Sequence, residues 1–293
     1  MRIDTDRPVA VVTGASAGIG RATACQLAAA GWQVIGTGRD PNRIAQATRE
    51  IEATVTVPGS FTMLRADLSL LAEAKQLAGQ VAVLTPRVDV LINNAGGPRD
   101  RRIVTAEGLE AVFAGNHLGP FLLTRELKPL LDAAVATAPA GPARVIAVSS
   151  NGHRNCRGLD FDDLQGDAAQ RGPTTAYCHA KLANLLVTRE LARRWGPEGI
   201  VAQAMHPGVA ATNFGEHADE GMRAWYAATE GKASPDQPAQ TLVWLATGPE
   251  GARDPGRYFY DKAEETPAEA ARDDDAAERL WAASERLLAD RGY

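Results

Sequence analysis

Six short apolar runs, VAVVTG, WQVIGTG, FTMLRADL, VDVLINNAG, ARVIAVSS and IVAQAMHPG, punctuate the chain between Val9 and Gly208 and constrain its fold more than any other feature. Each is rich in Val, Ile or Leu and stops at Gly, Asn, Ser or Asp. That is the pattern of a strand buried on both faces and leading into a loop. The segments between them, such as Arg21 to Ala30 and Pro41 to Ala53, are long enough for helices. The alternation predicts one α/β domain over residues 1–293, a Rossmann-type, doubly wound parallel sheet with helices on both faces. No linker or internal repeat divides it, and AAVATAPAGPA before Arg144 reads as a loose surface connection.

Ligands of such sheets bind beyond the carboxyl ends of the strands. Gly14, Arg39, Asp67, Asn93 and Asn94 therefore belong to one edge, with Ser149, Ser150 and Pro207. Beyond Gly208 the periodicity weakens. Residues from Ala211 to about Asp236 mix aromatic, polar and flexible types, as either a substrate-covering segment or a plain surface excursion would. A C-terminal amphipathic helix is expected over about 276–290, with Leu280, Trp281, Leu287 and Leu288 docked and the acids at Asp273 to Asp275 near its start.

The first run continues into TGASAGIGRATACQLA, a strand, a glycine turn and a helix in the order a dinucleotide site requires. Gly14, Gly18 and Gly20 let the backbone approach a pyrophosphate and pack helix on strand, and Ile19 opens the helix among the cofactor-binding positions. At the end of the second strand an acid would hold the ribose 2′-hydroxyl of NAD. Asp40 stands there, but directly before Pro41, which marks it as a helix cap. Arg39 is then free to pair with a 2′-phosphate, with Arg43 and Ser16 as helpers. NADP(H) is the expected cofactor.

A net charge of −5, with 45% hydrophobic and 23% charged residues, offers no broad basic field, so nucleic acid is not an expected partner. Val9 to Val12 is too short for a membrane anchor or a signal segment. Cys25, Cys156 and Cys178 are odd in number and lack CxxC spacing, and the five histidines show no metal-binding pattern. No disulfide framework and no metal site are expected; a cytoplasmic location fits. Cys178 reads as an inert helix residue, and His117, His179 and His206 as packing or surface groups.

In AYCHAK, Tyr177 and Lys181 stand one helical turn apart, so their heads share one face and can act on one small volume. Together TGASAGIG, NNAG, NHLG, VSS, YCHAK and HPG resemble, in order, the motifs of the short-chain dehydrogenase/reductases from Thr13 to Gly208. NHLGPFLLT, AYCHAKLANLLVTRELARRW, HPGVAATNF and RLWAASERL are similar to the retinol dehydrogenase-like and WW-domain oxidoreductase-like branch. GLDFDDLQGD, between Ser150 and Tyr177, resembles an insert of that branch. NNAGGPRD departs from the pattern at Gly97-Pro98 and the arginines that follow.

The resemblance implies a catalytic tetrad of Asn116, Ser150, Tyr177 and Lys181, with Ser149 left to a turn or packing role. It implies Asp67 and Leu68 at the adenine and Asn94, Ala95 and Gly96 beside the adenosine ribose. Pro207, Val209 and Thr212 would lie near the carboxamide and phosphates. Tyr177 would be the proton donor to the substrate oxygen, its pKa lowered by the Lys181 ammonium; Lys181 would also bond the nicotinamide ribose. Ser150 would orient the carbonyl, and Asn116 would support a water that relays protons. The expected activity is NADP(H)-dependent reduction of a bulky lipophilic ketone or aldehyde, or the reverse oxidation of a secondary alcohol. A catalytically silent nucleotide sensor or partner-binding protein is the alternative, and an epimerase or dehydratase a third. The family also implies association into homo-oligomers through helix faces.

Overall fold

Alternate residues of each central strand enter different apolar layers. Val9 and Val11 of β1 (Val9–Val12) pack in one, and Ala10 and Val12 in the other. A strand has a side-chain period of two, so a sequence apolar at every position must be covered on both faces. In this computed structural model, which describes residues 7–55, 57, 60–137, 142–169 and 171–293, helices provide that cover. Of the loose connection expected before Arg144, residues 133–137 are helical and residues 138–141 lie outside the described residues.

The element order is β1, α1 (Gly18–Ala29), β2 (Gln33–Gly38), α2 (Pro41–Glu52), β3 (Phe61–Arg65), α3 (Leu71–Leu84) and β4 (Val90–Asn93). There follow α4 (Ala111–Phe113), α5 (Gly119–Glu126), α6 (Lys128–Thr137), β5 (Ala143–Val148), α7 (Pro173–Trp195) and β6 (Ile200–Met205). The chain closes with α8 (Glu220–Ala228), α9 (Asp236–Thr247), β7 (Tyr258–Tyr260), β8 (Ala263–Glu264) and α10 (Asp274–Ala289). The sheet runs β3-β2-β1-β4-β5-β6-β7-β8, parallel except for the final antiparallel pair. Chain order reverses between β1 and β4, which opens a crevice at their carboxyl ends.

On one face α1, α2 and α9 supply Leu27, Ile51 and Leu245 to the core; on the other α3, α5 and α10 supply Leu77, Leu122 and Leu288. The cap expected at Asp40 is present: its carboxylate accepts from the Arg43 amide at 2.8 Å, with Pro41 at the first helical position. Asp273 caps α10 in the same manner through the Ala276 amide.

His117 is buried between α5 and α10, where its Nε2 lies 2.8 Å from Ser284 Oγ. The Ser284 hydrogen is committed to the Leu280 carbonyl, so Nε2 is the donor. Burial drives its pKa down to about 3. The depressed folded-state value means that the stability contribution is complete above pH 6.5 and is lost as pH falls from there toward 3. His117→Asn is expected to flatten the acid limb of stability by about 1.4 kcal/mol per pH unit over that window. Urea titrations of both proteins at pH 4, 5, 6 and 7 check this; parallel slopes would contradict it.

Candidate active site

A cavity of about 310 Å³ occupies the crevice. Its floor is the glycine turn. Gly14 has φ +71°, which favours glycine, and a side chain at Gly20 would place a Cβ 2.4 Å from the Gly14 carbonyl oxygen. The Thr13 hydroxyl receives the Asn94 and Ala95 amides at 3.0 and 2.9 Å, and Asn94 Nδ2 donates to the Thr13 carbonyl at 2.8 Å. Asn94 thus faces the cavity with its amide already serving the turn. Gly18, Ile19 and Gly20 open α1, whose cap residue Ala17 makes no side-chain bond to the helix amides.

At the far end of the second strand, Ser16, Arg39 and Arg43 line the same cavity. Arg39 is exposed, and its carbonyl receives Arg65 Nε at 3.2 Å. Arg43 is paired with Glu216 at 3.2 Å. Asp67 and Leu68 form another wall, Asp67 accepting from the Ser69 amide and hydroxyl at 2.9 and 2.7 Å. Ala95, Gly96, Pro207 and Thr212 complete the expected lining. Val209 is not part of it; its carbonyl accepts from the Ala233 amide at 2.9 Å.

Tyr177 and Lys181 project from α7, and both are buried against the cavity. Lys181 Nζ donates to the Val148 carbonyl at 2.9 Å and lies 5.5 Å from the centre of the Tyr177 ring. Burial lowers the Lys181 pKa to about 8. The expected lowering of Tyr177 does not occur. Burial raises its pKa, and the hydrogen bond from Ser150 opposes that only in part. The ammonium faces the ring and spends a hydrogen on Val148, so desolvation of the phenol outweighs it.

Ser150 lies two residues beyond β5, caps the turn Asn151–Asn155 through the Gly152 amide at 3.1 Å, and bonds the Tyr177 hydroxyl. The cavity wall includes Ser149 but not Ser150. Ser149 Oγ donates to the Lys181 carbonyl at 2.8 Å, tying α7 to β5. His153 bonds the Ser150 carbonyl through Nδ1 at 2.7 Å and accepts from the Ala268 amide at Nε2, so Nδ1 carries the hydrogen. It holds Ser150 from behind, a role the sequence did not reveal.

Asn116 sits in a π-helical turn, Ala114–Leu118, between α4 and α5. Its Oδ1 accepts from the Gly97 amide at 2.8 Å, and its Nδ2 donates to the Gly97 and Val112 carbonyls at 3.0 and 2.9 Å. The side chain is a clamp on the NNAG loop with both amide hydrogens spent.

The segment after Gly208 covers the cavity. Thr212, Asn213, Phe214 and His217 line it, and Phe214 packs edge-on to Tyr177 with centroids 5.5 Å apart. Tyr226 OH bonds the Thr212 amide at 2.9 Å. Asp219 caps α8 through the Met222 amide and accepts from the Thr174 hydroxyl at 2.6 Å, linking the segment to the start of α7. The sequence also left Arg99 without a role, yet it lines this cavity. Cys178 is not isolated: the buried Cys156 thiol bonds it and lowers its pKa, against burial. Among the described residues no three His, Cys, Asp or Glu side chains converge as a metal site requires, and no helix is long and apolar enough to cross a membrane.

Residues 8–158 match the short chain dehydrogenase family. Human retinol dehydrogenase 13 is 38% identical over 284 residues, covering 95% of this chain and 83% of that protein. Mouse polyprenol dehydrogenase is 36% identical, covering 97% of this chain and 84% of that protein. The structure of the Pseudomonas aeruginosa RhlG/NADP active-site complex superimposes with a TM-score of 0.68 at 28% identity, covering 86% of this chain and 93% of that one. The chain belongs to the short-chain dehydrogenase/reductase family, with its similarity in the retinol dehydrogenase-like branch.

Proposed function

We propose that this protein is an NADP(H)-dependent oxidoreductase that interconverts a carbonyl and a secondary alcohol, reducing a bulky lipophilic ketone or aldehyde. One observation carries the reading: a single cavity holds a glycine cradle and Arg39 at one end and Tyr177 with Lys181 at the other. The cradle fits a pyrophosphate because Gly20, where a Cβ would collide with Gly14 and Asn94, seats the start of α1 directly on the turn, and Arg39 fits a 2′-phosphate because its guanidinium has no partner among the described residues. Bound there, the dinucleotide supplies the hydride.

The chain's own residues manage the proton and the geometry. A phenol with raised pKa remains protonated through neutral pH, so Tyr177 stands loaded as an acid beside the oxygen where charge develops. Lys181 adds a positive charge close to the ring and stabilises the phenolate left after proton transfer. Ser150 fixes the phenol by hydrogen bonding and is in turn fixed by His153. Phe214 covers Tyr177 and keeps water from it. The lipophilic substrate class rests on Phe214 at the cavity and on relatives named for retinol and polyprenol. Three free cysteines suit a reducing compartment such as the cytoplasm.

NADPH oxidation followed at 340 nm against a panel of hydrophobic ketones and aldehydes, with NADH in parallel, tests this. Turnover is expected with NADPH. Tight NADPH binding without turnover across the panel would instead support a silent sensor.

A further inference from the structure

The loop after β4 contains three arginines, Arg99, Arg101 and Arg102, which the sequence does not distinguish. The structure separates them. Asn116 grips Gly97 from both sides at 2.8 and 3.0 Å, and the next residue, Pro98, is buried. That grip, with the fixed φ of proline, sends the chain along the cavity wall, so Arg99 lines the cavity and is partly buried. Arg101 and Arg102 face acids instead, Asp100 and Asp167 respectively.

Among the described residues the Arg99 guanidinium has no hydrogen bond or ion pair, and neither has that of Arg39. The two are close enough that the Arg39 charge acts on Arg99, and both act on His217. Burial, then Arg39, presses against the ionised form of Arg99, and the carboxylates of Asp67, Glu110 and Asp100 offset this only in part. Two unpaired guanidiniums in one crevice repel each other and are stabilised by a multiply charged anion placed between them. The other charges nearby are engaged: Arg43 by Glu216, and Asp67 by Ser69. In a chain of net charge −5, this cavity is lined by Arg39, Arg43, Arg99 and Lys181 against the single acid Asp67.

We propose that Arg99 shares the 2′-phosphate of NADP(H) with Arg39 and so helps set the preference over NAD(H). The assignment rests on the dinucleotide reading above. It extends the phosphate site from the end of β2, where sequence reasoning looks for it, to the far wall formed by the NNAG loop. It also gives Asn116 a second task, because the amide that clamps Gly97 aims Arg99 at the phosphate.

Direct fluorescence titrations of wild type, Arg99→Ala and Arg99→Lys with NADPH and NADH test the proposal. Adenosine 2′,5′-bisphosphate and adenosine 5′-monophosphate serve as competitors. Arg99→Ala is expected to weaken NADPH and the bisphosphate by about tenfold or more, the loss of one charge-assisted bond, and NADH and the monophosphate by less than about threefold. Arg99→Lys recovers part of the NADPH affinity. The guanidinium without a hydrogen bond or ion pair implies a thermal midpoint no lower than that of the wild type, which checks the fold. Equal losses for NADPH and NADH would overturn the assignment by moving Arg99 to a part of the ligand both share, and unchanged NADPH affinity would overturn it outright. Failure of the wild type to bind either dinucleotide would instead remove the function proposed above.

Discussion

Tyr177→Phe is expected to slow hydride transfer by about 10³-fold while leaving NADPH affinity within about twofold, because a positioned proton donor supplies roughly 10² to 10⁴ in rate. The substitution removes one hydroxyl and keeps the ring that packs edge-on to Phe214. Ser150 retains the Gly152 amide as a partner, so the turn it caps persists. Single-turnover mixing of enzyme, NADPH and ketone isolates the step from product release. Undiminished turnover would remove Tyr177 from the chemistry, and loss of NADPH binding together with rate would make it a structural residue.

The second large effect is expected on cofactor choice. Arg39→Ala should weaken NADPH by about 10- to 100-fold and NADH by less than about threefold, since a hydrogen bond to a charged group contributes roughly 1.5 to 3 kcal/mol. The side chain is exposed and only the Arg39 carbonyl bonds the protein, to Arg65, so the fold is not at risk. Asp40 does not stand in for a ribose-binding acid, because its carboxylate is held by the Arg43 amide. Equal losses for the two dinucleotides would contradict a 2′-phosphate role.

Strands β1, β2, β4, β5 and β6 were legible because each is an apolar run that implies cover on both faces, the half-buried edge strand β3 by its place in the alternation, and the site edge followed from where those runs stop. Strands β7 and β8, three and two residues long, carry no period that a sequence can display. β7 adds to the edge of β6, and β8 folds back on β7. The spacing of Tyr177 and Lys181 showed that they share a face, but spacing says nothing about burial. Desolvation, a property of the assembled cavity, reverses the shift expected for the phenol. Arg99 was illegible for a similar reason: its direction depends on a clamp that Asn116 places on Gly97 from nineteen positions along the chain.

Asp219 uses one carboxylate oxygen to start α8 and the other to hold Thr174 at the root of α7, while the Ala210–Ala233 bridge secures the opposite margin of the segment. To lift, this roof must first give up those ties, at about 1 kcal/mol for each hydrogen bond. While they hold, substrates would be sorted by the outline of a standing doorway.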